Sequence, residues 1–407
     1  MNAAAPDSEP AGRKSAMPQQ PCSLLYVTGA RLGGSGLDVS SLEGARASFR
    51  AGFLGRVVAY ANQQQEIPNR LVRSLALHPV RLLSGLGSAS YYGAKKKYAD
   101  WIGARELRRG AFDFFHGWSG DSLRSLVAAC QLGIPSVIDI PTWHRNKGRR
   151  KRFFTLAERQ DAARTGWQAW KEHLPPSRQR ILLEYELATL LFMPSARAAE
   201  SFLNSGIPAH KLHFVGRGVD LEQFQPGTPP PLFRLVFVGA LIERKGIHHL
   251  LRVWKKLALK DAELVLVGTP HAEIKPVLDE CGGPTVKVTG FVRDVQDQLR
   301  QASAFVFPSE MEGAAKATFE AAACGLAQIT TRESGDAVVD GVNGRIIPPN
   351  DPDALAEAIL EFHRHPERLA AMGQAGRERM AREFTWDHFR TRVREGYARA
   401  MAARHGS

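Results

Sequence analysis

Glu312-Gly313-Ala314-Ala315-Lys316-Ala317-Thr318-Phe319-Glu320 follows directly on an apolar run, Ala304–Phe307, and the turn Pro308-Ser309. A short apolar run stopped by Pro-Ser predicts a buried strand, and the small residues behind it predict a helix opening at its carboxyl end, over Ala315–Ala323. The free N–H groups and partial positive charge of such a helix start suit a diphosphate. Side chains as small as those of Gly313, Ala314 and Ala315 let a ligand come close to the backbone. The two glutamates are eight residues apart, about 12 Å along a continuous helix. A carboxylate accepts hydrogen bonds from two hydroxyls, so the pair matches the reach between the sugar and the ribose of a nucleotide-sugar.

Strands and helices alternate on both sides of this segment. Leu235–Val238 is an apolar run ended by Gly239, and Ile247, Leu250, Leu251, Trp254 and Leu257 form the stripe of a buried helix face. Strands follow at Leu264–Val267, Val286–Val288 and Ala327–Thr330. Asn350-Asp351-Pro352-Asp353 starts a helix that places Leu355, Ile359 and Phe362 on one side. In the first half, Leu24–Thr28 runs into the glycine loop Gly33-Gly34-Ser35-Gly36. Pro135–Ile140 reads as a short buried strand, and a helix over Ser177–Leu190 leads into the strand Leu191-Phe192-Met193. The polar and aromatic tracts between these show no clear period. The proline-rich segment Gln225–Pro231 separates the halves.

The expected architecture is α/β, two doubly wound Rossmann-like domains facing each other across a cleft. The boundaries are a disordered tail over 1–20, an acceptor-side domain over 21–225, a nucleotide-sugar-binding domain over 226–385, and a C-terminal helix over 386–407 that packs back on the first domain. No apolar run approaches the roughly 20 residues that span a bilayer, and the polar N-terminus lacks the apolar core of a secretory signal. The four cysteines are scattered without a CxxC pair, which favours neither zinc nor a disulfide framework. Residues 1–220 hold 30 Lys and Arg against 17 Asp and Glu, and the remainder 24 against 24, so the whole net charge of +13 lies in the first half. Lys95-Lys96-Lys97 and the run Arg145–Phe154 belong to it. Such a half attracts an anionic surface. No helix-turn-helix, zinc-finger or RNP signature accompanies the charge, which argues against nucleic acid.

From Pro308 onward the sequence PSEMEGAAKATFEAAACGLAQITT resembles the E-x7-E segment of the retaining glycosyltransferases of family four, proteins of GT-B fold. That family has Phe and Gly where Ala314 and Ala315 stand. The resemblance implies that Glu312 holds the transferred sugar and Glu320 the ribose. Phe237–Gly246 is similar to the family's donor-phosphate segment, which implies a diphosphate-neutralising role for Lys245 beside Gly239. Ala240 stands where relatives often have Arg, and Arg244 is the candidate replacement. Gly33 and Gly34 would face the donor phosphates from the first domain. Val215–Asp220 resembles the interdomain Asn-Gly-Val-Asp segment with Arg217 in the Asn place, and Asp336 matches the usual acidic residue. The family places a His after the strand that begins Gly-x-Pro. Pro141 takes that place here, which leaves His144, three residues on, as the candidate, with His116 as a second.

The resemblance implies retention of anomeric configuration, with the departing phosphate taking the acceptor's proton. It implies no metal and no cofactor beyond the nucleotide-diphosphate-sugar substrate. Lys245, Arg244 and the amides of Gly313–Ala315 are the expected stabilisers of the leaving charge. The acceptor is expected to be a saccharide or lipid-linked saccharide in cell-surface or exopolysaccharide assembly. The location is expected to be cytoplasmic, at the cytoplasmic face of the inner membrane through the basic half, where Trp143, Phe153, Phe154, Trp167 and Trp170 interleave the charges. Two other readings compete. One is a non-catalytic nucleotide-sugar-binding protein of the same fold, kept alive by Ala240, Ala314 and Ala315. The other is a nicotinamide-dependent oxidoreductase, which needs a Gly-x-Gly-x-x-Gly turn that TGARLGGSG only loosely approaches.

Overall fold

A computed structural model of the protein describes residues 22–34, 37–76, 88–144, 178–228 and 230–403. The tail over 1–20, Ser35, Gly36, the basic run Arg145–Phe154, Trp167 and Trp170 lie outside the described residues.

Two all-parallel sheets carry the chain. The first runs, in spatial order, Val72–Ser74, Leu54–Ala59, Leu24–Val27, Phe114–Trp118, Ser136–Asp139, Leu190–Met193 and Leu212–Phe214. The second runs Val286–Gly290, Ala262–Val267, Phe233–Val238, Ala304–Phe307, Ala327–Thr331 and Gly344–Ile347. In each sheet the first strand lies inside and the order reverses beside it, between Leu24–Val27 and Phe114–Trp118 and between Phe233–Val238 and Ala304–Phe307. Parallel strands need crossovers, and helices on both faces bury them, so the strands read as continuous apolar runs. A crevice opens outside the carboxyl ends at each reversal.

The helix Ile247–Leu257 buries Ile247, Leu250, Leu251, Val253 and Trp254 against the second sheet. Each large apolar side chain so buried contributes about 1.5–3 kcal/mol. Pro352–Arg364 starts where Asp351 accepts a hydrogen bond from the Ala354 amide at 3.0 Å, a cap worth about 1 kcal/mol. The final helix, Trp386–Ala402, returns to the first domain and buries Phe389, Val393 and Tyr397 against Tyr26, Phe114 and Phe192. The chain therefore crosses between domains twice, and the crossings are tied where the Val219 amide donates to the Phe384 carbonyl at 2.8 Å.

Several elements differ from expectation. The helix of the E-x7-E segment begins at Lys316, not Ala315, and Glu312 lies in the preceding loop. The two carboxylates are therefore not eight helical residues apart. The helix expected to reach Leu190 ends at Leu187, because Leu190–Met193 is already a strand. Gly344–Ile347, which the sequence reading did not place as a strand, is the sixth strand of the second sheet.

Beneath the first domain's cleft edge, Glu184 of the helix Arg178–Leu187 accepts the Gly120 and Ser122 amides at 2.5 and 3.0 Å. Burial first, and then Asp100 and Asp121 nearby, push its carboxyl from the usual 4.5 up to about 8. A folded-state pKa above the unfolded one gives stability that is complete below about pH 4.5 and is lost as pH rises through about 8. In Glu184→Gln the melting temperature relative to wild type is therefore expected to climb from pH 5 to about pH 8 and level off above it in thermal denaturation. A difference that stays flat or falls with pH contradicts this assignment.

Candidate active site

The two sheets' carboxyl edges enclose a cleft of about 990 Å³. Gly33, Gly34, Asp139 and Pro141 line it from the first domain, and Gly239, Lys245, Glu312–Ala317 and Glu320 from the second.

Glu312 is held by cations from a separate loop. Lys245 Nζ lies 3.1 Å from its Oε1, and Arg244 Nη1 donates to the same oxygen at 2.9 Å. Both cations come from the single turn Glu243–Lys245 between Gly239 and the helix Ile247–Leu257. Gly246 closes that turn at φ +73°, where a Cβ would sit 2.2 Å from the Pro308 carbonyl oxygen. A glycine is needed there on both counts. Lys245 also lies over the Phe307 ring, 4.6 Å from its centre. Burial lowers its ammonium pKa, with Glu312 pulling the other way. Arg244 differs from the sequence expectation. Its guanidinium is spent on Glu312 and the Met311 carbonyl, and it does not line the cleft. Both bonds come from Nη1, which anchors the Glu312 carboxylate.

The loop between Glu312 and the helix start is fixed from below. The Glu312 amide donates to the Glu333 carbonyl at 2.9 Å and the Ala315 amide to the Ser334 carbonyl at 2.8 Å. Those two donors are therefore unavailable to a ligand, contrary to the expectation for Ala315. The amides of Gly313, Ala314, Lys316 and Ala317 have no protein acceptor among the described residues. They are the donors the helix start presents to the cleft. Glu320, one turn into the helix, is buried. Lys316 Nζ comes within 2.5 Å of its Oε1 as an ion pair without hydrogen-bond geometry. Burial raises the Glu320 carboxyl, and Lys316 and Arg217 counter that.

The first domain's wall revises the histidine candidates. His144 is buried with its ring against Tyr185 and Phe202, 5.2 and 4.9 Å between centres, and it is not in the cleft lining. The chain turns away after Pro141, so Ile140 and Pro141 face the cleft and His144 packs into the first domain. His116 is fully buried in Phe114–Trp118. It shares a hydrogen bond of 2.6 Å with the Tyr397 hydroxyl and one of 2.9 Å with Asp139, and of these only Asp139 lines the cleft.

The domains meet closely beside Glu312. Trp143 Nε1 donates to the Glu312 carbonyl at 2.6 Å, and a Cβ at Gly313 would stand 2.2 Å from the Pro141 carbonyl oxygen. Further out, the Ala196 amide donates to Asp336 at 2.8 Å and Arg197 pairs with Glu333 at 3.0 Å. Sequence reasoning gave no role to Asp139, Arg217, Arg293, Lys316 or Phe291, all of which line the cleft. The available signals were a cation between two glycines at Gly216-Arg217-Gly218, and an aromatic residue just past a strand-ending glycine at Gly290-Phe291. Among the described residues, no three His, Cys, Asp or Glu side chains gather as a metal-binding set, and no helix is long and apolar enough to cross a membrane.

Two doubly wound domains with a charged cleft between their carboxyl edges define a GT-B-type fold. The fold is shared with sucrose-phosphate synthase from Thermosynechococcus elongatus, at TM-score 0.66 and 19% identity over 94% of this chain and 100% of that one. The Anabaena protein Alr3699/HepE in complex with UDP has the same fold, at TM-score 0.66 and 16% identity over 92% and 99% of the two chains. Residues 233–365, within the second domain, match the family described as glycosyl transferases group 1. Among curated relatives, the α-maltose-1-phosphate synthase of Mycolicibacterium smegmatis is 29% identical over 47% of this chain and 58% of its own length. The MMP α-(1→4)-mannosyltransferase of Mycolicibacterium hassiacum is 28% identical over 53% and 55%. The chain thus spans little more than half the length of these relatives. The family match leaves no support for the oxidoreductase reading.

Proposed function

We propose that the protein is a retaining hexosyltransferase that takes a sugar from a nucleoside-diphosphate donor and passes it to a saccharide or lipid-linked saccharide in cell-surface polysaccharide assembly. The observation that carries this reading is the arrangement around Glu312. A carboxylate, a half-buried ammonium and four unused backbone amides line one side of a cleft between two doubly wound sheets. Glu312 would hold the sugar's hydroxyls and Glu320 the ribose. Lys245 and the amides of Gly313, Ala314, Lys316 and Ala317 would take the charge that grows on the departing diphosphate. They are already fixed before reaction, so little reorganisation is needed when the charge appears. In this reading the phosphate leaving group accepts the acceptor's proton on the face it leaves, and neither a metal nor a cofactor takes part. Relatives described as a capsular polysaccharide glycosyltransferase of Staphylococcus aureus and a putative colanic acid glycosyltransferase of Salmonella typhimurium support the pathway class.

Lys245→Ala is expected to lower kcat about 100-fold or more in donor-dependent transfer or donor hydrolysis, with a smaller change in KM. Turnover near wild type would overturn the assignment of Lys245. Nucleotide binding by a wild-type protein that neither transfers nor hydrolyses any donor would favour the non-catalytic reading.

The basic first domain supports a peripheral position on an anionic membrane surface, where the lipid-linked acceptor would lie. Sedimentation with phosphatidylglycerol-containing vesicles is expected at 50 mM salt and to vanish at about 500 mM, as screening shortens the reach of the charges. Equal recovery with neutral and anionic vesicles would contradict it.

A further inference from the structure

Arg217 is a buried cation without a hydrogen-bond or ion-pair partner among the described residues. The residue is 8% exposed and lines the cleft. Its guanidinium makes no hydrogen bond or ion pair among the described residues, and its Nε is sealed from solvent without an acceptor. A guanidinium presents five donors and stays charged, so holding it 8% exposed with its Nε sealed and unpaired is costly. The local sequence enforces this placement. Gly216 holds φ +66°, and Gly218 lies so close to Trp386 that a Cβ would meet its ring at 2.3 Å. Arg217 is thereby fixed on the interdomain crossing, with its neighbours unable to shift it towards solvent.

Burial lowers the Arg217 pKa, and its electrostatic counterpart, Glu320, opposes that shift. No ion pair closes between them. Glu320 Oε1 is ion-paired with Lys316 but makes no hydrogen bond, so a buried donor set and a buried carboxylate face the same cleft. A ligand satisfying both must carry hydroxyls on one part and an anion beside them. The ribose and phosphates of a nucleotide have that order. Lys245, by contrast, is paired with Glu312, and Arg244 is turned out of the cleft.

Resting on the donor-binding reading above, we infer that Arg217 is the second diphosphate-binding cation of this cleft, contributed by the interdomain crossing in place of the charge that Ala240 lacks. Binding the donor then also ties the crossing to the second domain, since the phosphates bridge Arg217 and the Gly313–Ala317 segment.

The test compares affinities of uridine, its monophosphate and its diphosphate, and of the guanosine and adenosine series, for wild type, Arg217→Met and Arg217→Lys by calorimetry. In the series that wild type binds most tightly, the ratio of diphosphate to nucleoside affinity is expected to fall about 10- to 100-fold in Arg217→Met, the size of a lost charge-assisted contact. Arg217→Lys is expected to recover part of it. Without ligand, Arg217→Met is expected to melt at or above the wild-type temperature, because an unpaired buried charge has been removed. A ratio unchanged in Arg217→Met, or a parallel loss of nucleoside and diphosphate affinity with a lowered melting temperature, would overturn the inference and leave the donor-binding reading standing. A wild-type protein that binds none of these compounds would overturn both.

Discussion

The carboxylate of Glu312 is where the molecule's constraints converge. Lys245 and Arg244 reach it from one loop, the Glu333 carbonyl holds its amide from a second, and Trp143 of the other domain holds its carbonyl from a third. Each partner arrives because a strand ends nearby, and the strands end together because the parallel sheets place every carboxyl terminus on one edge. If the side chain alone were moved, the Lys245 and Arg244 cations would be left close together without their shared carboxylate. The same residue therefore sets the electrostatics of the site and the closeness of the domains.

That closeness explains the small residues of the motif better than ligand approach alone. Gly313 is pressed by the Pro141 carbonyl of the first domain, and Ala314 lies against Gly335, whose missing Cβ would come within 3.1 Å of it. Part of the pattern thus serves contact between domains and within the second one. Ala315 is tied through its amide to Ser334 and leaves the following helix start open. The cleft that remains is lined by Arg31, Arg217, Lys245, Arg293 and Lys316 against Asp38, Asp139, Glu312 and Glu320. Such a wall is mixed in charge and rich in polar groups.

The second domain was largely legible because its strands are uninterrupted apolar runs and its helices carry regular stripes. Ala304–Phe307 is found where the pattern puts it, and Leu355, Ile359 and Phe362 are buried together. The first domain hid strands whose polar residues are satisfied only in three dimensions. Phe114-Phe115-His116-Gly117-Trp118 does not read as a core strand, yet all five residues are buried, because Asp139 and Tyr397 partner both nitrogens of His116. Tyr397 lies 281 residues away on the returning helix, beyond any local pattern. The same limit applied to the site. Lys245 was singled out by the resemblance of Phe237–Gly246 to the family's donor-phosphate segment, and it lines the cleft. The direction of Arg244, and the burial of His144 between Tyr185 and Phe202, depend on loops whose course no periodicity records. Arg217 was visible as a cation between glycines, but its lack of partners is a property of the folded cleft.

The account reduces to where a diphosphate sits. A crystal structure of the protein with the nucleoside diphosphate it binds most tightly tests this most directly. The predicted result has the outer phosphate within hydrogen-bond distance of Lys245 Nζ, a phosphate oxygen accepting from Arg217, and the ribose hydroxyls on Glu320. A nucleotide bound with its phosphates away from both Lys245 and Arg217, or reversed so that its base lies against Glu312, would contradict it.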